Sequence, residues 1–256
     1  MNGKTKKTIR SVLFQAFCIF VGLIIISPIL YAFFISFMPS NQILRRPPTF
    51  IPETWILDNY KMALTLTTLG RFMLNSLIIA GVSSVVRIIT ASMAAFAFSF
   101  FRFKGKDVIF MLFMGTIMIP SDIVLVTNYQ TTASLGLINT YLGMMLIFLV
   151  SATNVFMMRQ YFLTFSVSLK EAAAVDGATK FKQFLYITLP GLKGTIKYVV
   201  MITMIQAMKL FTQPYIMTQG GPKNSTKTLV YYIYTQGFQK GNFGYACSIA
   251  AVFFVI

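Results

Sequence analysis

Long apolar runs alternate with short basic segments along most of this chain, and the runs are too long for strands. Ser11 to Leu44 carries no charge, and Leu13 to Phe37 is almost wholly apolar. A membrane-crossing helix needs about 20 such residues, so this is the first predicted span, with Pro28 tolerated as a kink. Met38 to Arg71 is more polar. Its Pro47-Pro48 and Pro52 break helix, and Trp55 and Tyr60 suit a membrane interface. A second span is predicted from Phe72 to Phe101, interrupted only by Arg87. The basic loop Arg102 to Asp107 separates it from a third, Val108 to Val126, with Pro120 and Asp122 near its far end. The fourth lies within the uncharged stretch Ile123 to Met158, starting at about Thr140. After a long basic loop, Arg159 to Lys197, the fifth is predicted over Tyr198 to Met217, followed by a turn at Gln219-Gly220-Gly221-Pro222. The last apolar run, Gly244 to Ile256, has only 13 residues and is too short to cross alone, so a truncated sixth helix is expected. The pattern predicts an all-α polytopic membrane protein of about six transmembrane helices. Residues 1–71 form an N-terminal cytoplasmic segment, first helix and outer loop, and residues 72–256 form a transmembrane core.

Composition agrees. Of 256 residues 56% are hydrophobic and 11% charged, where a soluble domain carries roughly a quarter charged residues. The net charge of +16, from 22 Lys plus Arg against 6 Asp plus Glu, would suggest nucleic acid in a soluble protein. Here the cations sit between apolar runs and form no dense stripe, so they read as loops facing an anionic inner leaflet, and no nucleic-acid partner is expected. With the N-terminus inside, the inner segments carry 13 basic residues and the outer ones 7, over segments of similar length. That asymmetry places the N-terminus in the cytoplasm. The first run is too long for a signal peptide and lacks a small-residue cleavage site. Cys18 and Cys247 lie far apart in apolar runs, and there is no histidine. Neither a disulfide framework, a metal site nor a histidine general base is available. Gly3-Lys4-Thr5 lacks the upstream glycine and preceding strand of a phosphate-binding loop. The sequon at Asn224 is three residues long and is read as chance.

The most informative stretch runs from Ser168 to Pro190. Ser168-x-x-Glu171 has the spacing of a capping box, and Ala172, Ala173 and Ala174 are strong helix formers. Gly177 suits a left-handed C-cap. Lys180 restarts a helix with Phe181, Phe184 and Leu185 on one face, and Leu189-Pro190 is expected to end it. Two short helices joined at a glycine, in a loop predicted to be cytoplasmic, form more structure than a connection requires. The alanine-lined first helix allows another surface close to its backbone. Asp176 is expected in solvent or at that interface.

Glu171-Ala172-Ala173, then Gly177, Ile187 and Leu189-Pro190, resemble without a gap the signature of binding-protein-dependent ABC importer permeases. Asn75-Ser76-Leu77, Ala94 to Phe98, Leu135 to Thr140 and Met217 to Pro222 extend the resemblance to the carbohydrate, maltose-type branch over most of the chain. The long first outer loop with its Arg-Pro-Pro resembles the smaller, six-span subunit. The resemblance implies a second permease subunit enclosing the path of a sugar or related small solute. It further implies a dimer of cytoplasmic ABC ATPases and an extracytoplasmic solute-binding protein. The loop between helices 4 and 5, with Glu171, Ala172, Ala173, Asp176, Gly177, Ile187, Leu189 and Pro190, would dock on the ATPase. The chain itself would hold no cofactor, since ATP would be bound and hydrolysed by its partner.

Arg87, near the middle of the second span, is either a pathway or partner-facing residue, or a buried arginine bonded to backbone carbonyls or an unseen acid. Lys209 can snorkel outward. A proton- or sodium-driven transporter is the first rival, but such proteins carry acids or histidines within their spans, and only Asp122 comes close. A membrane-embedded enzyme is the second. Six scattered acids without a histidine offer it no catalytic constellation.

Overall fold

The computed structural model describes residues 3–65, 67–120, 123–164, 173, 175–183, 186 and 189–255. The described residues are helical, with no strand among them. The main helices are α1 (Gly3–Ser36), α2 (Asp58–Thr65), α3 (Thr67–Phe100), α4 (Lys106–Gly115), α5 (Leu125–Ser134), α6 (Tyr141–Leu146), α7 (Ala152–Thr164), α8 (Lys180–Gln183), α9 (Lys193–Met208), α10 (Leu229–Tyr234) and α11 (Phe243–Val255). Two stretches, Arg10–Ser36 and Thr68–Phe100, are long and apolar enough to cross a membrane by length and composition.

The chain divides into two compact units, Met1–Gly70 with Tyr232–Ile256, and Arg71–Tyr231. In the first, α11 packs against α1 and α2. Asn59 ties the corner, its Nδ2 donating to the Ser36 carbonyl at 3.0 Å and the Met38 carbonyl at 3.2 Å. Ser248 Oγ donates to the Asn59 carbonyl at 3.2 Å, and Tyr60 meets Ser36 Oγ at 2.7 Å. Trp55 sits edge-on to Phe34 and tilted against Phe37.

In the second unit α3 is the long central element, and three predicted spans prove to be broken helices. The third expected span ends early. α4 passes into a 3₁₀ turn at Thr116–Met118 and stops before Pro120, because the residue preceding a proline is driven out of helical geometry. The fourth is split into α6 and α7. Ser151 starts α7 anew, its Oγ accepting from Asn154 N at 3.4 Å and its carbonyl from Val155 N at 3.0 Å. The fifth ends at Met208, and a separate π-helical turn, Pro214–Thr218, follows, opened by Pro214, which has no N–H to extend α9.

Backbone opened where helices pack together must find partners inside the protein. At the α6–α7 break, the Phe148 carbonyl accepts from Arg87 Nε at 2.6 Å and the Leu149 carbonyl from Thr90 Oγ1 at 2.6 Å, both from α3. Past α9, Thr228 Oγ1 donates to the Leu210 carbonyl at 2.8 Å. The breaks are therefore satisfied by side chains distant in sequence.

Candidate coupling loop and its flanking helices

The segment between α7 and α9 carries the sequence-predicted docking residues. Glu171, Ala172 and Ile187 lie outside the described residues. Ala173 and Val175 are helical, and Asp176 and Gly177 form the turn that follows. Gly177 has φ +76°, and Ala178 N donates to the Ala173 carbonyl at 2.9 Å. A six-to-one bond around a left-handed residue is the Schellman stop that the glycine's position predicts. Thr179 then starts α8, its Oγ1 accepting from Lys182 N at 3.3 Å and its carbonyl from Gln183 N at 2.9 Å. Val175 is 87% exposed at the tip, beside exposed Asp176 and Gly177.

Leu189 and Pro190 differ from expectation. Both lie in a helical turn, Leu189–Gly191, that leads towards α9, so they begin helix where the sequence predicted an end. Proline is tolerated in a first turn, where its missing N–H has no partner to lose. Pro190 is exposed.

Below the loop, both flanking helices are gripped by an apolar knot. Leu192 and Val199, Val155, Met158 and Phe162 of α7, and Ala91 and Ala95 of α3 are buried together. Phe162 lies edge-on to Phe96 at 6.0 Å and to Phe100 at 5.5 Å. Tyr161 OH donates to the Gly191 carbonyl. Arg159 stacks over the Phe110 ring at 4.1 Å. The small residues on α3 let the flanking helices approach closely, as at membrane helix interfaces generally. A force applied at the loop would therefore act on α3, α7 and α9 together.

Arg87 is 5% exposed. Besides the Phe148 carbonyl it donates from Nη1 to Gln206 Oε1 of α9 at 3.1 Å, and its guanidinium stands 5.5 Å from the centre of the Phe148 ring. Arg87 is thus bonded to one backbone carbonyl and one side-chain amide. Close by, Asn154 Nδ2 of α7 donates to Thr203 Oγ1 of α9 at 3.2 Å. Asp122 lies outside the described residues, and Lys209, the exposed C-cap of α9, stands at the helix end.

The N-terminal end of α3 carries a second constellation. Asn75 Nδ2 donates to the Lys227 carbonyl at 2.9 Å, and Tyr141 OH lies 2.6 Å from Asn75 Oδ1 and 2.8 Å from the Ser225 carbonyl. Leu229 N donates to Ser76 Oγ at 3.1 Å, and Thr226 Oγ1 bonds Thr218 Oγ1 at 2.8 Å and the Gly221 carbonyl at 2.6 Å. Three motifs far apart in sequence, at Asn75, before Tyr141 and at Gly220-Gly221, are thus joined. Sequence reasoning missed Tyr141 and Thr226, which carry no pattern of their own. Among the described residues no three His, Cys, Asp or Glu side chains gather as a metal site would require.

Residues 84–256 match the family described as binding-protein-dependent transport system inner membrane component. The sn-glycerol-3-phosphate transport system permease protein UgpE of Brucella suis is 34% identical over 213 residues, covering 80% of this chain and 76% of that one. Its counterpart in Rhizobium meliloti is 32% identical over 227 residues, covering 86% and 80%. Among solved structures, a bacterial ABC transporter involved in importing the acidic polysaccharide alginate superposes with a TM-score of 0.83 at 17% identity, over 100% of this chain and 95% of that chain. A bacterial alginate ABC transporter in complex with an alginate pentasaccharide-bound periplasmic protein gives 0.67 at 18% identity, over 96% of this chain and 90% of that chain. The all-helical fold is that of an ABC importer permease, and the two sugar-importer structures share it. A membrane transport subunit rather than an enzyme, the chain belongs to the binding-protein-dependent transport system inner membrane components.

Proposed function

We propose that this chain is one of two permease subunits enclosing the path of a sugar or related small solute through the bacterial cytoplasmic membrane. Its N-terminus lies in the cytoplasm and it crosses about six times, the broken helices of the second unit supplying crossings that no single long helix makes. An extracytoplasmic solute-binding protein delivers the solute, and two copies of a cytoplasmic ATPase bind and hydrolyse the ATP. The segment Glu171 to Pro190, with Ala172, Ala173, Asp176, Gly177, Ile187 and Leu189, docks on the ATPase. Nucleotide must favour one arrangement of the assembly over the other for the cycle to turn, and this segment transmits that difference.

The observation that carries the reading is the built tip on a gripped base. A helix stopped by Gly177 presents exposed Val175 and Asp176, while Leu192, at the foot of α9, is buried among α3 and α7.

The test is Gly177→Asp. A Cβ at Gly177 meets nothing within 4 Å, so the substitution does not clash, but φ +76° is costly for a residue bearing a side chain, on the order of 1 kcal/mol. The variant should insert normally, lose ATPase association and lose uptake in reconstituted vesicles. Wild-type uptake should require hydrolysable ATP and survive a collapsed ion gradient. Normal uptake by Gly177→Asp would remove the docking role, and uptake that died with the ion gradient would remove the ATP-driven reading.

A further inference from the structure

Resting on the importer reading, we propose that Gln206 and Lys209 of α9, oriented by Arg87 of α3, form a donor-only face of the passage that selects a solute bearing a carboxylate or phosphate.

The argument begins with an exposed polar residue where lipid would be the default neighbour. Gln206 lies in the last turn of α9 and is exposed, with exposed Ile205 beside it. An amide facing hydrocarbon leaves its polar atoms unmet at a cost of several kcal/mol, so this face meets a passage or another protein.

Its chemistry is one-sided. An arginine only donates hydrogen bonds, so the Gln206 atom that Arg87 Nη1 reaches at 3.1 Å is the amide oxygen. With its oxygen turned back to Arg87, the amide presents its N–H₂ donors to whatever lies in front. Lys209, three residues on and so on the same helical face, is exposed and also only donates. Neither the Gln206 amide nitrogen nor the Lys209 ammonium finds an acceptor among the described residues. Arg87 completes the field from behind.

That field has no counter-charge in either helix. None of the six acidic residues of the chain falls in Thr67–Phe100 or Lys193–Met208. Of the described acids, Glu53 pairs with Arg45 and Asp58 with Lys61, while Asp107 lies in the first turn of α4 and Asp176 in the turn at Gly177. Arg87 is held by two neutral oxygens and a ring face. A buried guanidinium without an anion is poorly compensated in a low-dielectric setting. The ligand complementary to two donor-only groups backed by an uncompensated cation is an acceptor-rich anion, which carboxylates and phosphates are. A solute passing through can supply such a charge and remove it again. A fixed acid on the second permease would neutralise the face permanently and leave the remaining donors unmet.

The test uses the complete purified assembly in detergent, melted in inorganic phosphate, sn-glycerol 3-phosphate or glucuronate. Glycerol and glucose serve as neutral counterparts, with ionic strength balanced by chloride. At ten times Kd the anions should raise the wild-type melting temperature by about 2–4 °C and the neutral compounds should not. Gln206→Leu and Lys209→Gln, both on an exposed face, should abolish the rise. Lys197→Gln, on the same helix but away from this face, should keep it. Absence of any anion-specific rise in the wild type, or an equal rise in Lys209→Gln, overturns the proposal. If instead Lys209→Gln weakens capture of the second permease and no anion acts, a protein carboxylate covers the face and the proposal is equally overturned. ATP hydrolysis by the wild-type assembly is measured in parallel. Its persistence beside a missing anion response sinks the selective face alone, while its absence sinks the importer reading.

Discussion

Helices α1 and α3 are each 34 residues long and similarly apolar, yet they place their side chains in opposite ways. No part of the most apolar stretch of α1 is buried, against 44% of that of α3. Along α1, apolar residues from Val12 to Leu30 are exposed on every side. Along α3 the apolar residues Leu74, Ile78, Val82, Val85, Ile89 and Met93 point outward, while Ser76, Ser83, Ser84, Arg87, Ala91 and Ala95 are buried. Its buried side thus mixes polar and small residues with Phe72 and Ile79. The polar groups differ in the same sense. Ser27 of α1 returns its hydroxyl to Ile24 of its own helix at 2.8 Å, whereas Asn75, Arg87 and Thr90 of α3 bond to other segments. In lipid, apolar surface gains nothing by being buried against protein, and association falls to close packing of small residues and to hydrogen bonds. The first helix is held by the corner at Asn59 and its packing on α11, the third by hydrogen bonds and small residues along its length.

The sharpest way to break this contrast is to place a charge on the outward faces of both helices. Ile25→Arg in α1 and Val85→Arg in α3 should each oppose membrane insertion by about 3 kcal/mol, the cost of an arginine at a helix centre. Glycosylation-site mapping of insertion efficiency measures this directly. If both faces met water the substitutions would be silent, and if only Val85→Arg were silent, that face of α3 would line an aqueous passage instead of lipid.

A smaller effect separates the helices by packing. Ala91 is fully buried against Met158, Leu192 and Phe162, so Ala91→Phe should overpack the knot and cost about 2 kcal/mol. A Cβ on Gly22 of α1 meets nothing within 4 Å, and Gly22→Phe should be tolerated. Melting of the purified subunit should place the first variant clearly below the wild type and the second alongside it. Equal losses would mean that α1 also has a protein neighbour at Gly22.

The same distinction explains what could be read from sequence. The C-terminal ends of α1 and α3, at Ser36 and Phe100, fall next to the predicted Phe37 and Phe101, because a change in hydropathy is a local signal. The stop at Gly177 was legible because alanines followed by a glycine form a local signal. The break between α6 and α7 was not, since Leu146 to Val150 is an unbroken apolar run. Its cause is tertiary, in the donors that Arg87 and Thr90 bring from about 60 positions away. Leu189-Pro190 misled for another reason. A proline both ends helices and begins them, and only the turn running towards α9 shows which applies. Arg87 could be recognised as costly from its position, but its partners at Phe148 and Gln206 have no signature in the chain.

The finest test compares two hydroxyls of nearly equal chemistry. Thr90 Oγ1 donates to the Leu149 carbonyl at 2.6 Å, across a helix break where no backbone donor replaces it. Thr90→Val keeps shape and volume but strips that carbonyl of its partner, which should cost about 1 kcal/mol in the melting transition. Ser99 Oγ donates to the Ala95 carbonyl at 2.7 Å, which belongs to an uninterrupted stretch of α3 and can also accept from the Ser99 backbone N–H. Ser99→Ala removes a redundant bond and should stay within about 0.5 kcal/mol of the wild type. The comparison is internal, because both residues sit in apolar helices and both lose one hydroxyl. A difference near zero between the two variants would mean that the opened carbonyl at Leu149 has another donor, and that α3 is held by its small residues rather than by its hydrogen bonds.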